Sequence, residues 1–176
     1  MKQLFLTFLL FLSFYSFGQN ITISELNSFL DKDIFLAEEI LSSGEWYFTG
    51  MEETTDEDGI TLKEVSFTYD YTQKNDWAQS YITIYLYKDK ISMVTIQILE
   101  KERFNKYLNN VKSLGGKLIE SKLTENVINR FYENGTTIFS FSIHTNNDIR
   151  NPAKNIYLLS LFKNKNFYYN YRQEQY

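Results

Sequence analysis

One histidine, His144, twenty-two carboxylates and no cysteine make up the acid–base and nucleophilic inventory of this 176-residue chain, in which "twenty-two" counts Asp and Glu, 22 together. An imidazole titrates near neutral pH and is the usual proton shuttle, but it needs an orienting partner and something to activate. The nearest acid in sequence that suits His144 is Asp148. No serine sits in a G-x-S-x-G elbow and no thiol exists, so His144 reads as a polar position on an alternating strand. A single histidine excludes a multi-histidine zinc site and the H-E-x-x-H helix. The absence of cysteine excludes disulfides, thiolate metal sites, iron–sulfur clusters and a lipid-anchored cysteine.

The acids cluster once, in the run Glu52 to Gly59 (EETTDEDG). Hard cations take oxygen ligands, and Glu52, Glu53, Asp56, Glu57 and Asp58 supply them in number. Their spacing fails the calcium-loop test: with Gly59 as the turn glycine, Thr54 falls on the first ligand position and Val65 on the position that needs a bidentate Glu. The stretch 52–58 therefore reads as a solvated hairpin loop, with calcium the alternative. Carboxylates such as Asp70 and Glu133 lie on or beside strands, yet nothing in their spacing specifies a glycosidase pair. No glycine-rich phosphate loop, dinucleotide fingerprint or P-loop lysine is present. The reading assigns no catalytic residue, no metal and no cofactor.

Aromatic side chains carry the remaining signal. They are 18% of the chain, with 14 Tyr and 15 Phe, and Tyr joins an apolar body to a polar tip that suits half-buried strands and contact surfaces. Tyr81, Tyr85 and Tyr87 alternate along one strand, and Tyr168, Trp46 and Trp77 complete the candidate binding set. A net charge of −4 excludes a nucleic-acid partner, because nothing basic enough to hold a phosphate backbone is present.

These side chains must be positioned by the elements around them. Thr22 with Glu25 forms a capping box, and Ile23, Leu26, Leu30, Ala37, Ile40 and Leu41 recur at helical spacing, so a helix is expected over 23–43 with a break at 31–33 and a stop at Gly44. A short strand follows at 46–49. From Leu62 the period becomes two. Val65, Phe67, Tyr69 and Tyr71 share a face; on the next strand Ile82, Ile84 and Leu86 oppose Tyr81, Thr83, Tyr85 and Tyr87; a turn at 88–90 then leads to Val94, Ile96 and Ile98. A second helix is expected over 100–114, with Phe104, Tyr107, Leu108, Val111 and Leu114 as its stripe and Gly115-Gly116 as its stop. Strands at 117–120, 127–132, 137–144, 156–163 and 167–171 follow, with Asn134-Gly135 as a hairpin signal.

The expected fold is α+β: an antiparallel sheet of about eight strands with two helices on one face. Two halves, 22–99 and 100–176, resemble each other: Ile40–Thr49 lies over Val111–Glu120 at an offset of 71, and Ala78–Lys90 over Ala153–Lys165 at an offset of 75. Ahead of them, Lys2, an apolar run from Leu4 to Phe17 and small residues at Ser16 and Gly18 read as a signal peptide over 1–18, leaving one domain over 19–176. The run is shorter than the ~20 residues that span a bilayer, so no stable membrane insertion is expected after cleavage. The functional expectation is a periplasmic or secreted, non-enzymatic interaction protein, such as an inhibitor, immunity factor or envelope accessory, that binds another protein through an open sheet face or loops. An exported carboxylate-dependent hydrolase and a carbohydrate- or small-ligand-binding module are the alternatives.

Overall fold

The amphipathic stretch at the start of the described chain becomes two helices because it holds two N-caps. The computed structural model describes residues 21–55, 59, 61–69, 80–124, 126–145 and 155–163. In α1 (Ile23–Phe29) the capping box is complete, with the Thr22 hydroxyl accepting from the Glu25 amide and the Glu25 carboxylate accepting from the Thr22 amide at 2.7 Å. Asp33 then accepts from the Leu36 amide at 2.9 Å and starts α2 (Ile34–Ser43). The third helix, α3, runs from Lys101 to Ser113. The described residues thus hold three helices, one more than expected, through the break anticipated at 31–33.

Eight strands form one antiparallel sheet: β1 (Trp46–Thr55), β2 (Thr61–Tyr69), β3 (Ser80–Tyr87), β4 (Lys90–Ile98), β5 (Lys117–Leu123), β6 (Val127–Asn134), β7 (Thr137–Thr145) and β8 (Asn155–Phe162). Their order across the sheet is β1-β2-β3-β4-β8-β7-β6-β5. The α+β class and the eight-stranded sheet are as expected. The first strand is longer than expected, since Glu52 and Glu53 pair with Glu64 and Lys63 on β2 rather than lying in a loop. The segments 1–18, 56–58 and 167–171 lie outside the described residues.

The strand order is that of two like halves meeting at β4 and β8. Their registers agree: Met51, Val65, Ile84 and Val94 are successive ladder partners across the first half, and Ser121, Arg130, Phe141 and Leu159 across the second. Each outer strand also carries a bulge at the same place, at Thr49 between Phe48 and Gly50 and at Ile119 between Leu118 and Glu120. The equivalence fixes Thr49 to Ile119, an offset of 70, and Glu45 at φ 65° stands where the second half has Gly115 at φ 92°. The expected offset of 71 was one residue out, which on a strand exchanges the two faces. Its companion, Ala78–Lys90 over Ala153–Lys165, set β3 over β8, whose topological counterpart is β4.

The helices cover one face. Beneath them lie Phe67, Ile82, Ile84, Val94, Ile96, Ile98, Phe141, Leu159 and Leu161, all essentially inaccessible, and α1 and α3 add Leu26, Phe29, Phe104 and Val111. Phe104 packs over β7 and β8, on Phe141 at 5.5 Å and on Tyr157 at 5.0 Å. The buried Tyr107 hydroxyl donates to the Ile21 carbonyl at 2.7 Å and ties the chain before α1 to α3. Leu114, expected in the stripe of α3, falls instead at its C-cap and is exposed. Gly116 allows the chain to turn back tightly, because a Cβ there would meet Val111 Cγ1 at 2.6 Å. In the β6–β7 hairpin the turn residues are Gly135 and Thr136, with φ positive only at Gly135, while Asn134 remains in the ladder opposite Thr137.

The other face was expected to be open and is not uniformly so. Met93, Phe131, Ile138 and Phe162 form a second apolar cluster there at 4%, 6%, 2% and 0% exposure, with Tyr85 packed against it. Three substitutions on β3 should therefore separate by environment. In urea melts Ile84→Asp should unfold the protein or remove about 4 kcal/mol or more of a typical ~5–15 kcal/mol, because it buries an unpaired charge. Tyr85→Ser should remove about 2 kcal/mol through lost packing, and Tyr87→Ser about 0.5 kcal/mol. Equal losses for Ile84→Asp and Tyr87→Ser would refute the assignment of faces.

Candidate functional site

Ladder register sorts the side chains of the helix-free face into rows. Ser66, Thr83, Thr95, Ser160 and Ser140 are successive partners across β2, β3, β4, β8 and β7, so a line of hydroxyls crosses the middle of the sheet. The Thr95 and Ser160 hydroxyls meet at 2.9 Å on the seam. On one side of this line runs the row Glu64, Tyr85, Met93, Phe162, Ile138, Glu133, which holds most of the apolar cluster. On the other side Thr68, Tyr81, Gln97, Leu158, Ser142 and Asn129 follow in order. The Thr68 hydroxyl is buried with no hydrogen-bond partner among the described residues.

Tyr81, Tyr85 and Tyr87 lie on this face, as the alternation of β3 required, and all three are half-buried. Tyr81 and Tyr85 stand on either side of the hydroxyl line, and Lys88 Nζ sits 5.1 Å over the Tyr87 ring. Trp46 is a correction to the candidate binding set: it points to the helix side, is 4% exposed and packs on Tyr69 at 5.5 Å. Trp46 precedes the bulge on β1, and its face is set by the ladder with Tyr69. Trp77 and Tyr168 lie outside the described residues.

Glu52 and Glu64 are direct cross-strand partners on the same face. Partial burial, and then the neighbouring Glu52 charge, push the Glu64 carboxyl above its ordinary range. Like charges directly opposite are destabilising on a sheet, so this pair is a strained element of the surface. Glu53 points to the other side, so Glu52 and Glu53 do not converge on one cation; Asp56, Glu57 and Asp58 are outside the described residues. Among the described residues no group of three or more His, Asp or Glu is placed to hold a metal ion.

His144 ends the row at the far margin of the same face, with Val127 on one side and Ile156 on the other. Burial pushes its imidazole below 6.5. Its ladder neighbours are aliphatic, so neither supplies the orienting carboxylate that general-base catalysis uses. Glu133 lies on the helix-free face between Lys117 and Ile138, while Asp148 and Asp70 are outside the described residues.

A cleft of about 430 Å³ opens on the helix side, where the β1–β2 hairpin meets the β3–β4 turn. Lys63 lies in it, 2.9 Å from Asp89 and 3.7 Å from Glu53. The hydrogen bond that Lys63 donates to Asp89, then the charges of Asp89 and Glu53, raise the Lys63 ammonium above 10.5. A lysine held protonated in this way is neither a base nor a nucleophile at neutral pH. The arrangement pins the turn, whose Lys88 and Asp89 both have positive φ, to β2.

No family model, curated protein or solved structure matches this chain. No described helix is long and apolar enough to cross a membrane.

The two perturbed groups of this face have opposite signatures. Glu64 has a raised folded pKa, so it destabilises the fold above that value and stops doing so as pH falls below about 4.3, where folded and unfolded carboxyls are both protonated. His144 has a lowered folded pKa, so it is neutral in effect above about 6.5 and destabilises as pH falls through that value. In urea melts Glu64→Gln should raise the midpoint at pH 7 and leave it unchanged at pH 3.5, whereas His144→Gln should raise it at pH 5 and not at pH 8. A drop in midpoint for Glu64→Gln at pH 7 would show the carboxylate to be stabilised by its surroundings instead.

Proposed function

We propose that this is an exported, non-enzymatic interaction protein that binds another protein across its helix-free sheet face, in the manner of an inhibitor, an immunity factor or an envelope accessory. The observation that carries the reading is the face itself: a line of hydroxyls of which Ser66, Thr83 and Thr95 are partly exposed while Ser140 and Ser160 are buried, flanked by half-buried Tyr81 and Tyr85, on a sheet braced from behind by a continuous apolar core. Tyrosines held by a rigid strand offer large contact area with little side-chain freedom left to lose, and hydroxyls offer adaptable hydrogen bonding. The strained Glu52–Glu64 pair adds a preference for a cationic group on the partner. Export rests on the N-terminal apolar run and the small-residue site at Gly18.

The test is affinity capture from an envelope extract with three forms of the protein. Thr83→Arg places a long charged side chain at the centre of the hydroxyl line, while Phe35→Ser changes a residue that is 81% exposed on the helix side. The wild type and Phe35→Ser should recover one stoichiometric partner, and Thr83→Arg, folded by circular dichroism, should lose it at least about tenfold. In the same material the protein should begin at Gln19. Equal recovery by all three forms would overturn the assignment of the face.

A further inference from the structure

All the exposed large apolar side chains among the described residues lie at the two lateral margins of the sheet. One margin, formed by α2 and β1, shows Phe35, Phe48 and Met51; the other, formed by the end of α3 with β5 and β6, shows Leu118, Leu123 and Ile128. Among the described strands β1 and β5 each have a ladder neighbour on one side only, as the outermost strands of the sheet. Their charges differ in sign. The only charged residues of β1 are Glu52 and Glu53, with Glu45 just before them, whereas β5 carries Lys117 and Lys122 against the single acid Glu120, with Lys112 close by on α3.

We propose that these two margins are one interface between copies of this chain, β1 of one molecule adding to β5 of the next. Like-to-like contact is disfavoured, because β1 against β1 opposes glutamates and β5 against β5 opposes lysines. The unlike contact is geometrically direct. Neighbouring strands alternate in direction across the whole sheet, so β1 and β5 run oppositely, and a second copy in the same facing orientation continues the antiparallel sheet with its helices on the same side. The bulges at Thr49 and Ile119 leave regular segments, Gly50 to Thr55 and Glu120 to Leu123, and these hold the complementary groups. Setting Glu52 opposite Lys122 brings Met51 opposite Leu123, and within each pair both residues belong to the same face of their sheets. Such a contact is heterologous, so it builds an open row rather than a closed dimer.

Analytical ultracentrifugation of the purified protein tests this. At low salt the weight-average mass should rise with concentration beyond that of a dimer, and it should fall back at about 1 M salt, where screening acts over ~3 Å. Glu52→Lys sets a lysine opposite Lys122 and Lys122→Glu sets a glutamate opposite Glu52, so each variant alone should need at least about tenfold more protein to associate while still unfolding cooperatively in urea. Mixing the two variants should restore association, since each then supplies the margin that the other lacks. A wild type that stays monomeric at low salt, variants that associate like the wild type, or a mixture that fails to recover would each overturn the proposal, the first by leaving the margins to a different partner.

Discussion

Six cross-strand pairs, from Met93–Phe162 to Ile98–Tyr157, join β4 to β8 and with them the two halves of the described sheet. What makes this seam strong is its position under the helix layer. Val94, Ile96, Ile98, Leu159 and Leu161 contribute its inner face, and Phe104 of α3 rests on Tyr157 beside it. Side chains of this size each contribute roughly 1.5–3 kcal/mol on full burial, so the seam outweighs any single surface pair. The chain before α1 is held to the same place by Tyr107, and Lys163, just past β8, pairs with Asp31 between α1 and α2. Contacts far apart in sequence thus converge on one ladder.

The seam also sets what the opposite face can present. Because Thr95 and Ser160 are partners there, a hydroxyl line through the middle of the sheet is continuous from β2 to β7. The halves agree in register but not in side chains on this face. Tyr81 corresponds to Ile138 and Gln97 to Phe162, so the apolar cluster on one side of the line is matched by a polar, tyrosine-bearing row on the other.

Much of the framework was legible in sequence, because the period-two alternation of β3 and the apolar stripe of α3 follow directly from which side chains face the core. The capping box at Thr22 and the stop at Gly115 are local signals and were legible for the same reason. The bulges were not, since an extra residue such as Thr49 or Ile119 leaves no mark in a strand's composition, and missing it shifts every later face assignment on that strand. Trp46 looked like a binding residue by type, but its face depends on its ladder with Tyr69. The apolar cluster of the second face joins Met93, Phe131, Ile138 and Phe162 from four strands, so it exists only once the strand order is known. For the same reason the Glu52–Glu64 pair and the opposed charges of the two margins belong to topology, not to any local motif.

Native-state hydrogen exchange as a function of urea measures directly whether the β4–β8 seam makes the two halves one cooperative unit. Amides of β3 and β4 in the first half and of β7 and β8 in the second are expected to open with the same free energy, within about 1 kcal/mol, and that value should equal the global stability. Two separated sets, with one half exchanging through its own lower-energy opening while the other stays protected, would contradict the seam as the element on which the structure depends.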